Sequence, residues 1–111
     1  MTTYIPKQGD LLLIDLSPTR GHEQRGKRPV VVLSPEKYNA ASGLMLVCPI
    51  TTRIKHYPFE YPLPPSATLS GVALLDQLRS VDWQVRRSKK QGTVSKTWLT
   101  SATSILQLLL P

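Results

Sequence analysis

Short apolar runs separated by polar, glycine- and proline-containing stretches dominate the first three quarters of the chain. Alternating or continuous apolar runs of this length are typical of strands. The pattern predicts strands at 10–16, 29–33, 44–52, 59–63 and 71–83, the last long and bent, with a further strand at 85–89 pairing with it. Pro49 is expected to mark an edge or a bulge, and the prolines of 62–68 predict a loop, because proline lacks a backbone N–H.

Two helices are predicted. Ser34, Pro35 and Glu36 provide an N-cap, a first-turn proline and an early acid for a short helix that ends near Asn39. After Ser95, a second N-cap, apolar residues recur at helical spacing: Trp98, Leu99, Ala102, Ile105, Leu106 and Leu109. The expected fold is therefore mainly β, a small bent antiparallel barrel with short helices and a C-terminal helix, in one domain spanning 1–111.

The amino-acid composition indicates which kinds of partner the chain binds and where it is located. Fourteen Lys and Arg against seven Asp and Glu give a formal charge of +7, which favours nucleic acid or an acidic protein, although a merely soluble basic surface has the same charge. Cys48 is the single cysteine, which excludes an intramolecular disulfide and predicts a buried small apolar residue. Without a long apolar run or a signal-like N-terminus, a cytoplasmic protein with no membrane partner is expected.

The segment 19–27 is polar, contains two glycines and is predicted to be a loop. Its residues 21–27 fit GxxxxGK, the beginning of a phosphate-binding loop of NTPases. That motif continues with Ser or Thr and a helix, whereas Arg28, Pro29 and three valines follow here, so an NTPase is excluded. The loop is better interpreted as an anion site built from Arg25, Lys27 and Arg28, because guanidinium groups bind phosphate through two parallel hydrogen bonds. The alternative is a solvated basic loop.

No metal or other cofactor is predicted, because two histidines and scattered carboxylates do not form a ligand set. A nuclease without metal remains possible on RNA, whose own 2′-hydroxyl can attack the adjacent phosphate. Such an enzyme needs a proton acceptor, a proton donor for the leaving 5′-oxygen, and positive charge near the phosphorane. His22 and Glu23, in the basic loop, are candidates for moving protons.

Further polar candidates follow two of the predicted strands. Thr51 and Thr52 end the strand at 44–52 and can bond a phosphate, although paired threonines more often serve packing. Asp76 interrupts an apolar run and can move a proton, or can simply face solvent in a turn. The remaining RNA-binding candidates share a charged or amide side chain near these positions: Gln24, Arg25, Lys27, Arg53, Lys55, His56, Gln77 and Arg79.

Taken in order, these pieces resemble the MazF/PemK family of toxin endoribonucleases from about Gly9 to the C-terminal helix. The segments that carry the resemblance are Gly9-Asp10 with Asp15 and Pro18-Thr19; Gly21-His22-Glu23-Gln24 with Gly26 and Arg28-Pro29; Pro49-Ile50-Thr51-Thr52; Tyr57-Pro58-Phe59-Glu60; Gly71-Val72-Ala73-Leu74 with Asp76-Gln77; and Gly92-Thr93-Val94.

The resemblance implies an SH3-like, CcdB-like toxin barrel assembled as a homodimer. It also implies metal-independent cleavage of single-stranded mRNA that leaves a 2′,3′-cyclic phosphate and a 5′-hydroxyl. Arg28 and Thr51 match the family's active-site arginine and threonine, and Glu23 matches an assisting acid. Members of the PemK branch combine a histidine, an aspartate and an arginine. This chain has His22 and Asp76 but Leu74 in the arginine's place, so Arg28 and Thr51 are the expected central pair, with His22 and Asp76 of second rank.

The implied partners are RNA and an acidic, partly disordered antitoxin that covers the same basic groove, with operator DNA bound only through the toxin–antitoxin complex. Two other functions fit a protein of this kind. One is a gyrase-poisoning toxin on the same fold, which would depend on the C-terminal residues, since fold alone does not fix function. The other is a non-catalytic RNA-binding module, which would bind RNA without cutting it.

Overall fold

The computed structural model describes residues 4–15 and 27–111. In these ranges the strands are β1 (Asp10–Asp15), β2 (Lys27–Val32), β3 (Leu44–Thr51), β4 (Glu60–Pro62), β5 (Val72–Leu74), β6 (Arg79–Asp82) and β7 (Lys89–Thr93). Two helices, α1 (Glu36–Ser42) and α2 (Lys96–Leu106), and two 3-10 turns, Leu75–Gln77 and Gln107–Leu109, complete the described part. No helix in it is long and apolar enough to cross a membrane.

All strand pairs are antiparallel, and the sheet runs in the order β4-β5-β3-β2-β1-β7, with β6 also paired to β3. The predicted class, a mainly β antiparallel fold with short helices and a C-terminal helix, is confirmed. The predicted closure into a barrel is not seen, because no ladder in the described ranges joins the edge strands β4 and β7.

Both faces of the central strands are buried. Leu11, Val31 and Cys48 contribute to one apolar cluster, whereas their chain neighbours Leu12 and Val30 contribute to a second. Successive side chains of a strand point to opposite faces, so a strand that is covered on both sides must be apolar throughout. This explains the three consecutive valines of β2 and the full burial of Cys48, which packs as the predicted small apolar residue.

Helix α2 covers the first of these clusters with Trp98 and Ala102. The predicted Ser95 cap is confirmed: its hydroxyl accepts a hydrogen bond from the Trp98 N–H at 3.1 Å. The Trp98 indole also donates to the Pro62 carbonyl at 2.7 Å, which joins the helix to the end of β4. The C-terminal helix is thus fixed both by its apolar face and by two polar contacts at its start.

Helix α1 differs from its prediction at both ends. Its N-cap is Pro35 and not Ser34, and it continues past Asn39 to Ser42. The Ser34 hydroxyl is used elsewhere, since it donates to the Asn39 side chain and accepts from the Leu46 N–H. Asn39 is completely buried and also bonds the Pro6 carbonyl, so it serves as a polar link between α1 and the N-terminal segment.

The predicted bent strand at 71–83 is wrong. The segment forms two strands, β5 and β6, separated by the 3-10 turn Leu75–Gln77, and both pair with β3. The predicted strand at 85–89 is also wrong, because Val85 lies in a turn with 73% of its surface exposed and the following strand β7 pairs with β1.

Pro49 lies inside β3, in the ladder with β2, and not at an edge of the sheet. Leu46 uses its backbone N–H and C=O toward Ser34 and Leu33, on the β2 side. Backbone groups alternate along a strand, so the Pro49 nitrogen faces the opposite side. On that side the pairing with β6 ends at Val47 and the pairing with β5 starts at Ile50, so Pro49 stands where the neighbouring strand changes.

Gly71 precedes β5 and has a φ of 119°, in the region that favours glycine. A Cβ at this position would lie 2.3 Å from the Thr51 carbonyl oxygen, which belongs to the backbone of β3 and cannot move independently. Gly71 therefore allows the chain to pass directly against the end of β3.

We expect Gly71→Ala to destabilise the protein by about 3 kcal/mol, because backbone strain and overlap with Thr51 add together. Gly43→Ala is the matched control: Gly43 also has a positive φ, 74°, but its added Cβ meets only the movable Gln84 side chain at 3.0 Å. The control should lose about 1 kcal/mol. Urea unfolding of both variants measures the difference. Equal losses would show that the approach of Gly71 to Thr51 imposes no special constraint.

Candidate functional site

The register of β2 and β3 points the Arg28 and Thr51 side chains to the same face of the sheet. The ladder between β2 and β3 aligns Val30 with Pro49, and continuing it by two residues sets Arg28 opposite Thr51. Residues opposite each other in an antiparallel pair lie on the same face. Both side chains are half-buried. The two residues predicted to be central therefore belong to the same face of the sheet, beyond the last β2–β3 pair, and Arg28 is not among the residues that line the cleft described next.

The same face continues into β5 and β4. Thr51 pairs with Val72, and Glu60 pairs with Leu74, two residues further along β5. A small open cleft lies here, lined by Thr51, Arg53, Lys55, Tyr57, Glu60, Leu74 and Gln77. Four of these seven were predicted as site residues, and Tyr57, Glu60 and Leu74 were not.

Thr51 is the last residue of β3, and its hydroxyl accepts a hydrogen bond from the Arg53 N–H at 3.0 Å. A hydroxyl has one proton to donate besides the lone pairs with which it accepts. The contact thus fixes the oxygen and leaves the proton for a ligand. Thr52 and Arg53, the next two residues, are exposed at the mouth of the cleft.

Lys55 and His56 are exposed, and their backbone N–H groups both donate to the Glu60 carboxylate, at 2.8 to 3.0 Å. His56 has a φ of 61°, the only positive value of a non-glycine residue in the described ranges. The fold therefore turns this segment back toward the cleft. In the sequence, Glu60 stands out only as part of the family pattern. Its role could not be predicted, because its partners are backbone groups that no side-chain pattern reveals.

Asp76 and Gln77 lie in the 3-10 turn between β5 and β6, and both are exposed. The Asp76 carboxylate accepts a hydrogen bond from the Tyr57 hydroxyl at 2.8 Å. This bond, together with partial burial, raises the pKa of Tyr57 to about 12, so Tyr57 remains a protonated donor at neutral pH. Gln77 reaches the cleft, whereas Asp76 contacts it through Tyr57.

The remaining predicted residues are more scattered. Lys27 is exposed at the start of β2, opposite Asp15, and Arg79 is exposed at the start of β6, opposite Val47. Neither lines the cleft. The predicted residues His22, Glu23, Gln24 and Arg25 lie outside the described residues.

The described residues offer few side chains for binding a metal ion or for chemistry by a thiolate. Within residues 4–15 and 27–111 there is no group of three His, Cys, Asp or Glu side chains that could hold a metal ion. Cys48 is buried, and this burial raises the pKa of its thiol to about 12. The described side chains that line the cleft offer guanidinium, ammonium, hydroxyl, carboxylate and amide groups.

Comparison with known proteins places the chain in a family. A family model described as PemK-like, MazF-like toxin of type II toxin-antitoxin system matches residues 7–110. The endoribonuclease toxin MazF of Escherichia coli K12 is 47% identical over 95 residues, which cover 86% of this chain and 85% of the relative. The endoribonuclease PemK of Escherichia coli is 31% identical over 108 residues, covering 94% of this chain and 81% of that protein.

Solved structures agree with these sequence matches. A MazE-MazF crystal structure from Deinococcus radiodurans superposes with a TM-score of 0.89 at 44% identity and covers 97% of each chain. The resemblance first noted in the loop and strand motifs thus extends over nearly the whole chain. The chain belongs to the PemK-like, MazF-like family of toxins of type II toxin–antitoxin systems.

Proposed function

We propose that this toxin is a metal-independent endoribonuclease that cuts single-stranded mRNA at short sequences and thereby blocks translation. The observation that supports the proposal is the cleft at the end of β3, where Thr51 lies with the cations Arg53 and Lys55, on the face to which the strand register also points Arg28. The names of the relatives support it, since MazF and PemK of Escherichia coli are both endoribonucleases.

In the proposed reaction the 2′-oxygen of one nucleotide forms a bond to the adjacent phosphorus as the bond from phosphorus to the 5′-oxygen breaks. The products are a 2′,3′-cyclic phosphate and a 5′-hydroxyl. Arg28 neutralises the charge that develops on the non-bridging oxygens, and the Thr51 hydroxyl donates a hydrogen bond to one of them. Groups held in place before the reaction stabilise a transition state most effectively, because they need no reorganisation.

Two protons must move: one leaves the 2′-hydroxyl and one reaches the departing 5′-oxygen. Glu23, His22 and Asp76 are the proposed carriers, because an arginine whose pKa lies above about 12 is a poor base. Asp76 differs from the others in having a described partner, the Tyr57 hydroxyl at 2.8 Å. This contact holds its carboxylate next to the cleft.

The RNA path is proposed to follow the exposed polar residues around the cleft. Arg53, Lys55 and Gln77 line it directly, and Thr52 and His56 are exposed next to Arg53 and Lys55. Lys27 and Arg79, together with Gln24 and Arg25, extend the positive surface and attract the RNA backbone. Because these contacts are electrostatic, RNA affinity should fall steeply with salt.

The proposed protein partners follow from charge and from the relatives. A formal charge of +7 favours an acidic, partly disordered antitoxin that covers the RNA-binding cleft, and a related MazF from Deinococcus radiodurans has been solved together with MazE. Operator DNA is proposed to bind only the toxin–antitoxin complex. The site of action is the cytoplasm, where mRNA is translated.

A homodimer is the proposed assembly. Leu75, Leu78, Leu106, Leu109 and Leu110 line an apolar groove between the 3-10 turn Leu75–Gln77 and the C-terminal helix. Three of these leucines, Leu78, Leu109 and Leu110, are exposed in the single chain. An exposed cluster of large apolar side chains is typical of an interface, and a second copy would bury it around a two-fold axis.

The RNase assignment is tested with Arg28→Ala. Incubated in EDTA with a long single-stranded RNA, the parent should produce discrete fragments with 5′-hydroxyl ends. Arg28→Ala should lower kcat by about 100- to 1000-fold, the usual effect of removing one donor to a developing oxyanion. Arg87→Ala, which removes an exposed arginine from the 83–88 turn region, is the charge-matched control and should cleave at nearly the parent rate.

Intact RNA across varied substrates with the parent protein would refute the nuclease. Gyrase inhibition would then be measured next, and binding without cleavage would indicate an RNA-binding module. Cleavage by Arg28→Ala at the parent's rate would agree with the nuclease function but would show that Arg28 is not a central catalytic residue.

The dimer is tested with Leu78→Glu. A buried charge in an apolar interface is strongly unfavourable, so this variant should dissociate at concentrations at which the parent sediments as a dimer, with the dissociation constant raised about 100-fold. Val85→Glu introduces the same charge at an exposed apolar residue outside the groove and should leave the dimer intact. A parent that sediments as a monomer, or a Leu78→Glu variant that stays dimeric, would contradict the proposed interface.

A further inference from the structure

The segment that connects β3 to β4, residues 52–59, contains no strand or helix. It nevertheless carries Arg53 and Lys55, the two cations that line the cleft. Its backbone is tied at three places: the Arg53 N–H donates to Thr51, the N–H groups of Lys55 and His56 donate to Glu60, and the Glu60 N–H donates to the Tyr57 carbonyl. The conformation of this basic segment therefore depends on a few specific contacts.

Glu60 provides the central contact. One carboxylate oxygen, Oε1, accepts from the Lys55 N–H at 3.0 Å and from the His56 N–H at 2.8 Å, and Oε2 lies 2.9 Å from the Lys55 nitrogen. Successive N–H groups converge on one point when a residue adopts the left-handed conformation, as His56 does here with a φ of 61°. The carboxylate thus holds in place a backbone turn that a histidine rarely adopts.

The position of Glu60 makes this contact effective. Glu60 is the first residue of β4, where pairing with Leu74 fixes its backbone, and it is half-buried. Within the described ranges its oxygens form no ion pair with Arg53 or Lys55, so the carboxylate binds the backbone of the basic segment and not its cations. Both cationic side chains remain available at the cleft.

We propose that Glu60 is a positioning residue for RNA binding: it orders the segment 53–56 so that Arg53 and Lys55 stand at the mouth of the cleft next to Thr51. This inference rests on the proposed ribonuclease function and adds to it a residue that acts through others. Glu60 lines the cleft, but its oxygens accept hydrogen bonds from the Lys55 and His56 amides, so the role proposed for it is to position the segment and not to move a proton.

The experiment compares Glu60→Ala with Glu60→Gln in cleavage of a single-stranded RNA oligonucleotide that contains one parental cut site. Alanine removes both acceptors. Glutamine retains a side-chain oxygen that can take the Oε1 position, which serves both amides, and it removes the charge. Glu36→Ala, at an exposed residue in the first turn of α1, is the control that makes the same change in net charge.

We expect Glu60→Ala to raise KM about tenfold with little change in kcat, because Arg53 and Lys55 hold RNA equally in the ground state and the transition state. Glu60→Gln should restore KM to within about threefold of the parent, and Glu36→Ala should match the parent. The thermal unfolding midpoint of each variant is measured as well, to separate weaker RNA binding from general unfolding. A purely structural loss would lower the active fraction of the protein and hence kcat, and would leave KM unchanged.

Two results would overturn the proposal. Parental KM for Glu60→Ala would show that the segment is ordered without the carboxylate. A Glu60→Gln variant as impaired as Glu60→Ala would show that the charge matters, not the accepted hydrogen bonds. Both results require that the parent protein cuts RNA. A parent that leaves the RNA intact would instead refute the ribonuclease function itself.

Discussion

Strand β3 has one neighbour along one edge and two along the other, and much of the architecture follows from this. It pairs with β2 on one side, and on the other side with β6 up to Val47 and with β5 from Ile50. Pro49 stands where the partner changes, and its nitrogen, which has no proton to donate, faces that side of β3. Since β5 and β6 are joined only by the turn Leu75–Gln77, that turn must lie beside the gap, which brings Gln77 to the cleft at the end of β3.

The end of β3 is also where polar groups collect. Thr51 lies opposite Val72 on one side and, by extension of the ladder, opposite Arg28 on the other. Gly71 passes so close to the Thr51 carbonyl that no side chain fits between them. The threonine is therefore flanked by two segments distant in sequence, β2 and Gly71-Val72. A hydroxyl that is held in place in this way can donate a hydrogen bond in one direction without rearranging.

The charged side chains fall into two groups: those that form contacts within the fold and those that are exposed to solvent. The chain has few carboxylates, and several of those described accept hydrogen bonds within the fold. Asp10 is buried with Tyr4, Lys90 and the Lys7 N–H as partners, and Glu60 binds two backbone amides. Asp76 accepts from the Tyr57 hydroxyl and Asp82 from the Gln84 N–H. The exposed cations around the cleft are correspondingly left to interact with a polyanion. Arg53 and Lys55 thus place part of the positive charge of the chain at the cleft where RNA and an acidic antitoxin are proposed to compete.

The sequence by itself determined the apolar strands, the Ser95-capped helix and the buried Cys48, and its resemblance to the toxin family implied Arg28 and Thr51 as the central candidates. These features depend on local periodicity, capping chemistry and motif spacing, all of which are properties of short segments. The tertiary structure decided that 71–83 is two strands, that β7 joins β1, and that Glu60 orders the segment carrying Arg53 and Lys55. Strand neighbours are chosen by backbone hydrogen bonds, which are chemically the same at nearly every residue, so side-chain pattern fixes the face of a strand but not its partner.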